Sequence, residues 1–273
     1  MSFSILNNIP ALSAENQLNA TQMSLQKTLA QLASGSRINS GADDAAGLAI
    51  ANGLQANISA LNQSVQNAND GIGSLQVADG ALGQVTSLLN RAITLATEAS
   101  TGTVSSTQRT ALNSEYTQIM SEIDRIGTTT TFNGTSVFTA STTSIYLSDA
   151  SSNSTIGVSV GALSSSALGL GSTSLAGADG SAAQTALTAI NTAISTIASD
   201  RGTIGASINR LQDASAVISA QVQNLTAAEN GIMAADIPTA ISNLSRQSVL
   251  AQTGMAALAQ ANSQEQSVLT LLH

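Results

Sequence analysis

LQANISALNQSVQNANDGIGSLQVADGALGQVTSLLNRAI, residues 54–93, contains no proline and repeats its apolar residues by sevens. Leu54, Leu61, Ala68, Leu75, Leu82 and Leu89 make one line; Ile58, Val65, Ile72, Asp79, Thr86 and Ile93 make the offset line. A stripe of that period keeps one neighbour along the whole length of a helix, as in a coiled coil. A matching tract lies towards the other end of the chain. Ile190, Ile197, Ile204, Leu211, Ile218, Leu225 and Ile232 repeat by sevens there, with Leu187, Ile194, Ile208 and Val222 beside them. The stretch between has no such repeat. The pattern predicts a mainly α fold: a long antiparallel helical coiled-coil bundle formed by the N- and C-terminal segments, with a small β-hairpin region in the middle.

Composition narrows what such a fold can do. The 273 residues are 42% hydrophobic but only 2% aromatic, so the core is built of Ala, Leu, Ile and Val. Charged residues make up 9%, against a usual share of about 25%. Few charges leave few groups to pair when long surfaces are buried between subunits. Net charge is −8 and Lys27 is the single lysine, so there is no basic stripe for nucleic acid or an anionic membrane. There is no cysteine, and the one histidine, His273, is the last residue. A thiol nucleophile, a Ser-His-Asp triad and a histidine metal cluster are therefore not expected. No glycine-rich phosphate motif follows a strand. Neither an enzyme nor a cofactor is expected. The opening Met-Ser-Phe-Ser-Ile-Leu lacks a secretory n-region and h-region, which predicts a cytosolic chain or one that leaves the cell by another route.

Along the chain, residues 5–33 read as a helix in which Leu18, Leu25 and Leu32 repeat by sevens. SGSRINSGADD, residues 34–44, breaks it, and Asp43 or Ser40 is placed to cap the next helix. That second helix spans about 44–99. Asp79, in its offset line, is expected to drift off the seam, because a straight helix slips about 20° per heptad. A shorter helix then carries Leu112, Tyr116, Ile119, Ile123 and Ile126 on one face. From Gly127 to Ala182 Ser, Thr, Gly and Ala dominate; the alternating runs 144–148 and 155–160 predict a hairpin turning at 149–154, within about 140–162. Helix resumes at 183–231 and restarts at Asp236-Ile237-Pro238, where Asp236 can cap and Pro238 falls in the first turn. The last helix puts Leu244 and Leu258 on one stripe and Ile241, Met255 and Leu269 on another. If the chain doubles back, 5–33 lies beside 238–272 and 44–99 beside 183–231, with the breaks near residues 40 and 234 in register. Terminal helices this short and polar are marginal alone.

Several motifs stand in a fixed order: LASGSRINSGADDAAGLAIA (32–51), NANDGI (67–72), VADGAL (77–82), EIDRI (122–126), TFNG (131–134), ADIPTAISNLSR (235–246), LAQAN (258–262) and QSVLTLLH (266–273). Together they resemble bacterial flagellin over 1–138 and 183–273. The resemblance implies a subunit of the flagellar filament used for motility. It implies that 1–42 with 235–273 form an inner filament-core coiled coil and that 43–234 form a rod-like helical domain. The assembly core would be Leu18, Leu25, Leu32, Leu244, Leu258 and Leu269. The rod-domain core would be Leu54, Leu61, Leu75, Leu82, Leu89, Ile197, Ile204, Leu211 and Ile218. The short middle suggests a form lacking the outer domains.

The implied partners are copies of the chain itself in a helical homopolymer, a flagellar export chaperone, filament cap and hook-junction proteins, and a Toll-like receptor of the host. Family members reach the extracellular flagellum by type III flagellar export without a cleaved signal peptide. LNRAITLATEAS (89–100) resembles the stretch that receptor reads, and Arg91, Leu95 and Glu115 match its key positions; the same residues could make lateral contacts between subunits. The alternative is a hook–filament junction protein. Those relatives tend to carry proline after the paired aspartates, whereas Asp43-Asp44 here leads into Ala45-Ala46.

Overall fold

The computed structural model describes residues 8–148 and 154–271, with the side chains of 265 and 268–271 left aside. The opening six residues, residues 149–153 of the expected hairpin turn at 149–154, and His273 thus lie outside the described residues, as does the side chain of Leu269. Five helices are described: α1 (Ile9–Ser34), α2 (Ala45–Ser100), α3 (Ser106–Thr129), α4 (Ser181–Met233) and α5 (Ile237–Leu271). Four short strands lie between α3 and α4: β1 (Thr131–Phe132), β2 (Thr135–Ser136), β3 (Thr142–Tyr146) and β4 (Thr155–Ser159). The expected mainly α fold with a small β region is observed. The chain divides into two compact units, one of Met1–Ala56 with Asn224–His273 and one of Asn57–Gln223. The borders fall inside α2 and α4.

In the first unit α1 and α5 run antiparallel. Asn8 Nδ2 donates to the Ala261 carbonyl at 3.4 Å, and Gly254 lies against Leu18. Asn8 also caps α1 by accepting from Ala11 N at 2.9 Å, which satisfies one of the orphan amides of the first turn. Gly35 ends the helix in the left-handed region, φ 68°, which costs glycine nothing. The two breaks meet: Ser36 bridges Ala234, Arg37 N donates to the Met233 carbonyl at 2.6 Å, and Ala235 N donates to the Gly35 carbonyl at 3.0 Å.

In the second unit α2 and α4 are antiparallel, since partner numbers fall on one helix as they rise on the other. Gly71 meets Leu211, Asp79 meets Arg201, and Ser100 meets Gly180. Leu61, Ala68, Leu75, Leu82, Leu89 and Ala96 are buried on α2, and Ala183, Ile190, Ile197, Ile204, Leu211 and Ile218 on α4. In the companion line Ile58 is buried as expected, but the later positions differ. Ser64, Ala78, Val85, Ala92 and Ala99 are buried, three residues after each seam position, while Val65, Ile72, Thr86 and Ile93 are half-buried. The same shift occurs on α4, where Ala186, Ala193 and Ser207 replace Leu187, Ile194 and Ile208. Small residues in that line let the helix backbones approach, and the larger ones flank the seam.

The middle segment is ordered against α3 in a way the sequence did not announce. Gly127 faces the Leu163 carbonyl so closely that a Cβ would overlap it. Asp124 accepts from Ser165 N at 2.6 Å and Ser165 Oγ at 2.9 Å. Tyr116 Oη and Thr173 Oγ1 share a 2.6 Å hydrogen bond, and Asn113 Oδ1 accepts from Leu175 N at 2.7 Å. Arg109 Nη1 donates to the Ala178 carbonyl at 3.2 Å. Residues 163–178 therefore run antiparallel to α3, and Leu163, Leu168, Leu170 and Leu175 are buried beneath them. The β3–β4 hairpin pairs Thr142 with Ser159 through Tyr146 with Thr155. It is held to α2 by Ser64 Oγ donating to the Ser148 carbonyl and Asn67 Nδ2 to the Tyr146 carbonyl, both at 3.2 Å.

Candidate assembly surface

A pair of helices can bury only the stripe between them. In α1 and α5 that stripe is narrow: Ala11, Thr21 and Thr28 are buried on α1 and Ala240 on α5. The buried threonines satisfy their hydroxyls by donating to the Gln17 and Ser24 carbonyls one turn back, at 2.9 and 3.0 Å. Leu18, Leu25, Leu32, Leu244 and Leu258 are each half-buried. Other large apolar side chains are exposed outright. Ile9 is 68% exposed, Leu12 59% and Met23 66%, and Leu29, Ile241, Val249, Leu250 and Met255 are also exposed. Isolated exposed hydrophobes are ordinary; these eight lie along the two helices of one pair.

Electrostatics fix the break beside this pair. The sequence points to Asp43 or Ser40 as the cap of α2. Asp44 takes that role instead, accepting from Gly47 N at 2.8 Å, because it directly precedes the first helical residue. Asp43 holds the break loop: it accepts from Asn39 N and Ser40 N, each at 3.1 Å, and pairs with Lys27 Nζ of α1 at 2.7 Å. The hydrogen bond from Lys27, reinforced by the Asn39 amide, holds its carboxyl down at about 2. Asp236 caps α5 as expected, accepting from Thr239 N at 3.2 Å and Thr239 Oγ1 at 2.8 Å. Those bonds lower its pKa, the hydroxyl more than the amide.

In the second unit Leu61, Leu75, Leu82, Leu89, Ile197, Ile204, Leu211 and Ile218 are buried. Leu54 lies in the first unit and is half-buried. Asp79 sits beside the seam and not in it, because Ala78 takes the buried position. Its carboxylate accepts from Arg201 Nε at 2.7 Å and Nη2 at 3.2 Å, a two-point pair across α2 and α4 that lowers its pKa. Arg91 pairs with Glu115 across α2 and α3 at 2.7 Å, both side chains about half exposed. Leu95, grouped with them as a surface contact, is only 1% exposed. Its face of α2 turns into the core, so of the three only Arg91 and Glu115 present to solvent.

Two features escaped sequence reading. Arg109 is buried, 3% exposed, and its guanidinium donates to three carbonyls, those of Ala99, Thr101 and Ala178. It closes the α2–α3 turn. Asp200 falls in the companion line of α4, seven residues after the buried Ala193, and burial pushes its carboxyl up.

The model of the bacterial flagellin N-terminal helical region matches residues 5–143, which include α1, α2, α3, β1 and β2. The model of the bacterial flagellin C-terminal helical region matches residues 187–272, most of α4 and all of α5. The chain belongs to the bacterial flagellin family. Residues 144–186 lie between the two family segments. Flagellin A of Helicobacter pylori is 45% identical over 82 residues, 30% of this chain and 16% of that protein. The B-type flagellin of Pseudomonas aeruginosa is 48% identical over 84 residues, 31% of this chain and 17% of its own length. A flagellin of Serratia marcescens is 50% identical over 80 residues, 29% and 23% respectively. The matched stretch thus spans less than a quarter of each of these relatives. The crystal structure of Bacillus cereus flagellin superposes with a TM-score of 0.48 at 33% identity, over 60% of this chain and 94% of that one.

Proposed function

We propose that the chain is a structural subunit that polymerises with copies of itself into the extracellular filament of the bacterial flagellum. The observation that carries this reading is the open apolar surface of α1 and α5. Each large aliphatic side chain buried there contributes about 1.5–3 kcal/mol. Residues such as Leu12, Met23, Ile241, Leu250 and Met255 stay exposed inside the unit. A second copy of the same pair supplies a matching apolar surface, and the low charge of the chain leaves few ions to desolvate on contact. In this reading 1–42 with 235–273 form the filament core and 43–234 the rod around it. Leu18, Leu25, Leu32, Leu244, Leu258 and Leu269 would then be buried between copies, and Leu61, Leu75, Leu82, Leu89, Ile197, Ile204, Leu211 and Ile218 would stabilise the rod.

The family also supports type III export and contacts with an export chaperone, a filament cap and hook-junction proteins. The Arg91–Glu115 pair is the part of the proposed receptor or lateral-contact site that solvent can reach. The test removes residues 238–273 and follows polymerisation by electron microscopy. The expected product is a soluble monomer; filaments formed by the truncated chain would overturn the proposal.

A further inference from the structure

Asn-Gly occurs three times in the chain, at 52–53, 133–134 and 230–231, and the three asparagines are all exposed. Their backbones differ. Asn52 and Asn230 lie inside α2 and α4, where the following amide is committed to the carbonyl four residues back. Asn133 and Gly134 instead form the two-residue loop of the β1–β2 hairpin, closed by the Phe132–Thr135 pair. Both have positive φ, 49° and 76°, the combination that matches a hairpin turn to its strands. The Gly134 amide lies outside the ladder, and a Cβ built on Gly134 would meet nothing within 4 Å.

We propose that Asn133 is a site of spontaneous chemical modification, selected from the three Asn-Gly pairs by the hairpin turn. The Gly134 backbone nitrogen gives its proton to solvent and bonds to Asn133 Cγ. Nδ2 takes a proton back from solvent, the Cγ–Nδ2 bond breaks and ammonia leaves, closing a succinimide. Water then opens either carbonyl of the ring, giving aspartate or isoaspartate. No oxidant or reductant takes part. Aspartate keeps the turn, since it tolerates the left-handed region as asparagine does. Isoaspartate adds one carbon to the main chain of a two-residue loop and breaks the Phe132–Thr135 register. Phe132 then leaves α2, where its ring carbon lies 3.4 Å from the Cβ position of Gly73. The hairpin turn thus converts slowly from a clamp on α2 into a loosened loop.

The experiment incubates the full chain in mildly alkaline buffer and maps peptides by mass spectrometry. Isoaspartate is counted by enzymatic methyl transfer. A parallel sample is held unfolded in denaturant. The expected result in the folded chain is a one-dalton gain at Asn133 about tenfold faster than at Asn52 or Asn230, because the helical sites must first open. The three rates converge in denaturant, and Asn133→Ser removes most of the methylatable isoaspartate. Equal rates at the three sites in the folded chain, or an Asn133 that reacts only in denaturant, would overturn the proposal.

Discussion

Asp43 and Asp200 are both carboxylates on break or seam positions, yet their surroundings push them in opposite directions. Asp43 is held down at about 2 from 3.8 by Lys27 and the Asn39 and Ser40 amides. A depressed carboxylate contributes stability that is present above its unfolded value and lost as pH falls through the folded one. Its contribution to the break loop is therefore full above about 3.8 and fades towards about 2. Asp43→Asn should flatten the acid limb of the unfolding curve in that window, read by circular dichroism; an unchanged acid limb would show that the pair with Lys27 is idle. Asp200 has the reverse sign. Its carboxyl is raised by burial, so the ionised form weakens the fold at neutral pH. Asp200→Asn should raise the melting temperature at neutral pH, and the gain should shrink as acid protonates the parent chain. A loss of stability at neutral pH would mean that the carboxylate has a favourable partner.

The helices and the segments between them are unevenly legible. Long apolar heptads over 54–93 and 187–232 announce α2 and α4 because a repeat sustained over many turns has few other readings. The companion line lies one residue away from the large side chains that suggest it. Ala78, Val85, Ala92 and Ala99 do not stand out beside Ile72 and Ile93, yet close backbone approach favours the smaller side chains. Asp79 illustrates the consequence: drift off the seam is legible, but the Arg201 partner 122 residues away is not. The segment 163–178 is opaque because its anchors, Arg109, Asn113 and Asp124 of α3, are polar residues that sequence alone assigns to solvent. Asn133-Gly134 marks the β1–β2 turn locally, but two-residue strands carry too little alternation to be read. The seam itself is testable. Leu211 is fully buried, so Leu211→Ala should cost about 2–5 kcal/mol in denaturant unfolding. A near-zero effect would contradict the register of α2 against α4.

Across the whole chain, the two units differ in what they bury. The second unit encloses Leu61 to Ile218 and the leucines of 163–175 within itself. The first unit leaves Ile9, Leu12, Met23, Ile241, Val249, Leu250 and Met255 exposed along α1 and α5. The sequence shows that these helices are amphipathic and weak, since Leu18, Leu25 and Leu32 repeat cleanly. It does not show which apolar residues face the partner helix and which face outward. In the proposed filament the outward ones drive copies of the chain together. That role is measured by comparing the full chain with a variant carrying Leu12→Gln, Met23→Gln, Leu250→Gln and Met255→Gln, using electron microscopy and sedimentation under polymerising conditions. The expected outcome is filaments from the parent, monomers from the variant, and the same unfolding of the second unit in both. Filaments of unchanged yield from the variant would contradict an assembly driven by this surface.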